Sequence, residues 1–120
     1  MTPKDREPVK RVEKIIKEYD NNLSVSVLKT SARTALEAAI SLNCDVGAIV
    51  KSLLFKTDSK YALFLIAGDK KASLKKIKKN LKFSDVSMAS ADEVKSITGY
   101  TIGGVSPVGH KNKVDIYIDN

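Results

Sequence analysis

The chain has 120 residues, 29% charged and 42% in the broad apolar set, with a formal net charge of +7, so it reads as one globular domain spanning 1–120 rather than a disordered segment. No apolar run approaches the length of a membrane span, and the charged N-terminus has no signal-peptide core, which makes the cytoplasm the expected location. Cys44 is the only cysteine, which excludes an internal disulfide and a cysteine-based metal cluster.

Val9, Val12, Ile15, Ile16 and Tyr19 carry helical spacing, so residues 5 to 19 are predicted as a first helix, stopped by Asp20-Asn21-Asn22. Ser24 to Lys29 alternates serine and valine and is predicted as a short strand. Thr34 to Glu37 has the spacing of a capping box and opens an alanine-rich helix reaching Leu42. Cys44 to Ala48 reads as a turn, with Cys44 either a nucleophile or an inert thiol. Ile49 to Phe55 and Tyr61 to Ala67 are strongly apolar and are separated by a polar turn, the pattern of a hairpin at a sheet's centre. Leu74, Ile77 and Leu81 mark an amphipathic helix among seven lysines between Lys70 and Lys82. After Asp85-Val86-Ser87, Ser90 to Glu93 forms a second capping box, whose helix ends at Thr98-Gly99. Val114 to Ile118 alternates as a final strand, whose open edge raises the expectation of pairing with a segment supplied from elsewhere.

Three features carry candidate chemistry. Lys75, Lys76, Lys78 and Lys79 form a basic helix face, either a solvated surface or a set of phosphate contacts. Lys51 interrupts an apolar strand on the face of Ile49, Leu53 and Phe55, where an ammonium either snorkels to water or waits in a pocket for an anionic or carbonyl oxygen. The segment from Thr98 to Lys111 holds four glycines, Pro107 and the only histidine, so its backbone N–H groups can approach a ligand closely. Within it, His110 reads equally as a proton carrier or a loop hydrogen-bonder, and Ser106 as a substrate contact or turn chemistry.

Four ordered blocks, Ile49-Val-Lys-Ser-Leu-Leu-Phe55, Ala67-Gly-Asp-Lys-Lys71, Met88-Ala-Ser-Ala-Asp-Glu-Val94 and Thr98-Gly-Tyr-Thr-Ile-Gly-Gly-Val-Ser-Pro-Val-Gly-His110, resemble the YbaK-type aminoacyl-tRNA deacylases, free-standing relatives of the editing domain of bacterial prolyl-tRNA synthetases. The likeness runs from Thr30 to Asp119. It implies an α/β (α+β) fold with a single mixed, mostly antiparallel central sheet flanked by helices. It implies hydrolysis, in trans, of the ester joining a wrong, small amino acid to the acceptor end of a transfer RNA. No metal, no cofactor and no covalent enzyme intermediate are implied; some members use the 2′-hydroxyl of the substrate's terminal ribose.

Lys51 falls on the family lysine, and Gly103, Gly104 and Pro107 fall on the Gly-x-x-x-Pro loop. Together with His110 these are the candidate catalytic residues; Ser106, Lys75, Lys76, Lys78 and Lys79 are the candidate substrate contacts. The expected partners are mischarged tRNA and an aminoacyl-tRNA synthetase, with no membrane. The resemblance also implies a further strand, a Gly-Gly-type turn and a helix after the position of Asn120, which this sequence does not contain. Leu28 to Ser31 lacks the tyrosine found near there in some cysteine-specific members, which disfavours cysteine as the amino acid removed. A non-catalytic tRNA- or RNA-binding module and a truncated inactive remnant of the same fold are the alternative readings.

Overall fold

The computed structural model describes residues 6–28 and 32–118, arranged as helices against a four-stranded sheet. The apolar hairpin is its centre. Strand β1, Val50–Thr57, pairs antiparallel with β2, Lys60–Ala67, from Val50 opposite Ala67 to Thr57 opposite Lys60. Outside them lie β3, Val86–Met88, antiparallel to β1, and β4, Asp115–Ile118, parallel to β2, giving the order β3-β1-β2-β4. The mixed, mostly antiparallel sheet implied by the resemblance is therefore present.

Period-two alternation divides the hairpin between two cores. Phe55, Ala62, Phe64, Ile66 and Val86 form one cluster, which Ile77 and Leu81 of the lysine helix segment and Tyr117 of β4 complete. Leu54, Leu63, Ala89 and Val94 form the other, joined by Ile97, Val105 and Val114. Phe55 and Phe64 meet edge to face at 5.2 Å, and Tyr117 stacks on Phe64 at 5.1 Å. The hairpin turn is tied to β3, because the Asp58 carboxylate accepts from the Ser84 and Asp85 N–H groups at 3.0 and 2.9 Å.

The helices begin where their side chains satisfy the free N–H groups of the first turn. Helix α1 runs Glu7–Tyr19 with Pro8 in its first turn. Helix α2, Ala35–Leu42, is capped by Thr34, which accepts from the Glu37 N–H at 3.1 Å; the Glu37 carboxylate turns to the Arg33 N–H rather than completing the reciprocal bond. Helix α3, Leu74–Asn80, starts at a Ser73 cap. Helix α4, Ala91–Thr98, has both bonds of the Ser90–Glu93 capping box and ends in left-handed Gly99.

One predicted element is absent. Residues 24 to 28 form no strand, and Lys29 lies outside the described residues. The Val25 N–H donates to the Glu13 carboxylate of α1 at 2.9 Å instead of to a sheet neighbour, and Val27 is exposed. Alternating serine and valine confers strand propensity, but a strand forms only against a partner.

Glu93 links α4 to the sheet and sets a pH dependence. Its carboxyl is held below the ordinary value of 4.5, chiefly by the bond from the Ser90 N–H, then by the Tyr61 hydroxyl, with a smaller contribution from the Lys56 ammonium. A carboxyl depressed in the folded state contributes stability above its unfolded pKa and loses it as pH falls through the folded value. Glu93→Gln is therefore expected to flatten the fall in melting temperature as pH drops below about 5. An unchanged acid limb in thermal melts would remove this role from Glu93.

Candidate active site

Lys51 is the second residue of β1 and stands across from Ile66 of β2. Alternation puts it on the side of the sheet covered by α3, with Leu53 and Phe55. Its ammonium donates to the Lys70 carbonyl at 2.5 Å, beyond the end of β2. The residue is half-buried, with its apolar stem along the sheet and its charge at the rim.

Beside it, between β2, β4 and α3, lies a groove of about 500 Å³. Phe64, Ile66, Ile77 and Tyr117 form its apolar walls, and Lys70, Lys71 and Lys76 supply its positive rim. Ser73, Asn80 and the Tyr117 hydroxyl are the uncharged polar groups of the lining, and among the described residues no carboxylate belongs to it. Such a cavity favours an anion attached to a small apolar body. Of the four predicted lysine contacts, Lys76 reaches this groove, while Lys75, Lys78 and Lys79 are exposed elsewhere on α3.

The glycine loop is built from α4 outward. The Lys111 and Asn112 N–H groups donate to the carbonyls of Thr98 and Ile97 at 3.0 and 2.9 Å, so the returning chain satisfies the open C-terminal end of α4. The Gly104 N–H donates to the Thr101 carbonyl at 2.8 Å, closing an exposed turn in which Gly103 has φ +85°. No atom lies within 4 Å of a Cβ built on Gly103, so backbone conformation rather than space demands glycine there.

Around exposed Pro107, the Ser106 hydroxyl accepts from the Val108 N–H at 3.1 Å. His110 Nε2 lies 2.6 Å from the Ser106 carbonyl, which can only accept, so that nitrogen carries a proton in this contact. Buried Tyr100 donates its hydroxyl to the Val108 carbonyl at 2.8 Å and packs edge-on to the His110 ring at 6.1 Å.

Ser106, Pro107 and His110 thus form one hydrogen-bonded bend with Tyr100, and Gly103-Gly104 form the turn that precedes it. Among the described residues no hydrogen bond or ion pair connects Lys51 to this bend. Val105 anchors the loop in the cluster on the α4 side of the sheet, whereas Ile66 opposite Lys51 belongs to the α3-side cluster. The structure therefore assembles two polar centres, a lysine-lined groove and a glycine bend. Among the described residues, no group of three or more His, Cys, Asp or Glu side chains is arranged to hold a metal ion. Cys44 is an exposed free thiol.

Sequence reasoning passed over Tyr100, Lys70 and Lys71 as site residues. Tyr100 follows Gly99 within the quoted loop, and an aromatic ring in so small a glycine-rich segment was the available signal. Lys70 and Lys71 were legible as basic residues, but only the bend after β2 brings them to the groove.

The geometry has close parallels. A crystal structure of a candidate trans-editing enzyme for prolyl tRNA synthetase superposes with a TM-score of 0.86 and 35% identity, over 99% of this chain and 73% of that one. Proline–tRNA ligase of Caldicellulosiruptor bescii is 35% identical over 94 residues, 78% of this chain but only 16% of the ligase. The uncharacterized Bacillus subtilis protein YwhH is 31% identical over 103 residues, 85% of this chain and 65% of that protein. This chain therefore spans a small fraction of the ligase and about two thirds of YwhH. With residues 29–120 matching the sequence profile of the aminoacyl-tRNA editing domain, and with the fold of the candidate trans-editing enzyme, the chain belongs to the aminoacyl-tRNA editing domain family.

Proposed function

We propose that this protein is an aminoacyl-tRNA deacylase that acts in trans, hydrolysing the ester of a transfer RNA mischarged with a small amino acid. The observation that carries the reading is the Lys51 ammonium at the Lys70 carbonyl, beside a groove rimmed by three lysines within a family-typical fold. An ester is already electrophilic, so positioning and charge stabilisation supply most of the acceleration. A water attacks the carbonyl carbon, the bond to the ribose oxygen breaks, and the proton passes to that leaving oxygen. Lys51 holds the ester or the terminal phosphate. The N–H groups of Gly103, Val105 and Ser106 stabilise the oxyanion, the Gly104 N–H closes the turn that presents them, Pro107 fixes the bend, and Nδ1 of His110 relays the proton.

Such a second sieve is useful because a hydrophobic pocket separates amino acids differing by one methylene by only about 1–3 kcal/mol. The substrate, transfer RNA, places the activity in the cytoplasm, with an aminoacyl-tRNA synthetase as the natural source of the error. The test is release of free amino acid from a panel of mischarged transfer RNAs. A folded sample that fails on every member overturns the reading.

Lys75, Lys76, Lys78 and Lys79 are all exposed, and among the described residues no carboxylate pairs with them, which favours phosphate contact whether or not hydrolysis occurs. Changing all four to glutamine is expected to flatten the slope of log binding constant against log salt for tRNA by about 3–4. An unchanged slope in a binding titration would return this helix face to the role of solvated surface. Loss of tRNA binding in that variant, combined with a wild-type protein inert towards every mischarged tRNA, would support a non-catalytic RNA-binding module.

A further inference from the structure

Helix α1 precedes residues 29–120, which match the sequence profile of the family, and it touches the loop assigned to the chemistry. A Cβ built on Gly109, whose φ is +74°, would stand 2.8 Å from Ile15 Cδ1 on α1 and 2.8 Å from the Tyr100 hydroxyl. The helix and the loop therefore meet with no room for even a methyl group. One turn earlier on α1, the Arg11 guanidinium lies over the Tyr100 ring, 4.9 Å from its centroid. Glu7 approaches Nη1 at 3.5 Å, but Nε and Nη2 are buried with no hydrogen-bond acceptor among the described residues.

Two nitrogens that give up water without gaining acceptors need another source of attraction beside the Glu7 carboxylate, and the negative face of the aromatic ring supplies it. The ring so gripped is the one whose hydroxyl reaches the carbonyls of Val108 and Gly109 at 2.8 and 3.3 Å. Those residues directly precede His110, which closes back on Ser106.

We propose that Arg11 is a positioning residue for the editing reaction: by clamping Tyr100 from α1 it holds the bend from Gly103 to His110 in its working shape. The catalytic part of this inference rests on the deacylase reading, whereas the ordering of the loop does not. The brace lies on α1, so the N-terminal helix takes part in shaping the loop.

The experiment compares Arg11→Met, which keeps the length and removes the cation, Arg11→Lys, which keeps a cation over the ring, and Gly109→Ala, which both crowds Ile15 and strains a φ of +74° in the loop itself. Backbone amide exchange is measured across residues 99–112 and across β1 and β2, and kcat and KM are measured with mischarged tRNA. Arg11→Met is expected to speed exchange in the loop about tenfold while the sheet keeps its protection. Its kcat falls on the order of tenfold to a hundredfold with KM unchanged. Arg11→Lys recovers most of both, and Gly109→Ala reproduces the loss.

Loop exchange equal to wild type, exchange rising equally in the sheet, or a loosened loop with full kcat would each overturn the proposal. If the wild-type protein releases no amino acid, the deacylase reading fails, and the exchange data alone decide whether Arg11 braces the loop.

Discussion

Replacing Lys51 by alanine is expected to lower the rate of deacylation about 10²–10³-fold, the usual consequence of removing one preorganised charge-stabilising donor. The fold should survive, because the ammonium makes one solvent-accessible hydrogen bond and the apolar partners of β1 remain. A rate within threefold or so of wild type, measured as amino acid released per enzyme, would exclude Lys51 from the chemistry. The deeper question is whether Lys51 and the glycine bend serve one ester, given that they are anchored in different layers. Gly103→Ala addresses it, because the added methyl meets no atom within 4 Å and acts only by straining a φ of +85°. If both groups contact one substrate, the double variant loses less than the product of the single losses. Fully multiplicative losses would assign the two centres to separate tasks.

Phe55→Ala should be the most damaging single change to stability, costing about 3–5 kcal/mol. Phe55 is 1% exposed, sits on the central strand and packs edge-on to Phe64. That cost is a large share of the roughly 5–15 kcal/mol that a folded domain has in total. Chemical denaturation is expected to show a lower midpoint at an unchanged slope. A shift corresponding to less than about 1 kcal/mol would mean that Phe64, Ile66 and Leu53 collapse into the vacated space.

Elements governed by local rules were legible in the amino-acid sequence. The Ser90–Glu93 box names its own helix start, and the two apolar runs around Asp58-Ser59 name their own hairpin. The strand expected from Ser24 was not, because alternation reports a preference whereas pairing depends on a neighbour elsewhere in the chain. For the same reason nothing in Val114 to Ile118 announced that it would lie parallel to β2. The candidate site was legible in part: Lys51 stood out as a charge in an apolar strand, and the loop as a glycine cluster. The clamp of Arg11 on Tyr100 and the bond from Tyr61 to Glu93 join residues far apart in sequence, and no periodicity encodes them.

The parallel pairing of β2 with β4 also bears on how the protein reaches its native state. The hairpin closes through the two residues of its turn, whereas pairing β4 with β2 must close a loop that contains α3, β3, α4 and the whole glycine loop. Long-range closure of this kind is slow, and elements with the fewest buried neighbours open first under native conditions. β4, with Ile116 and Ile118 still 45% and 75% exposed, is such an element. The loop that feeds it is therefore expected to order late in refolding and to be released early when β4 opens.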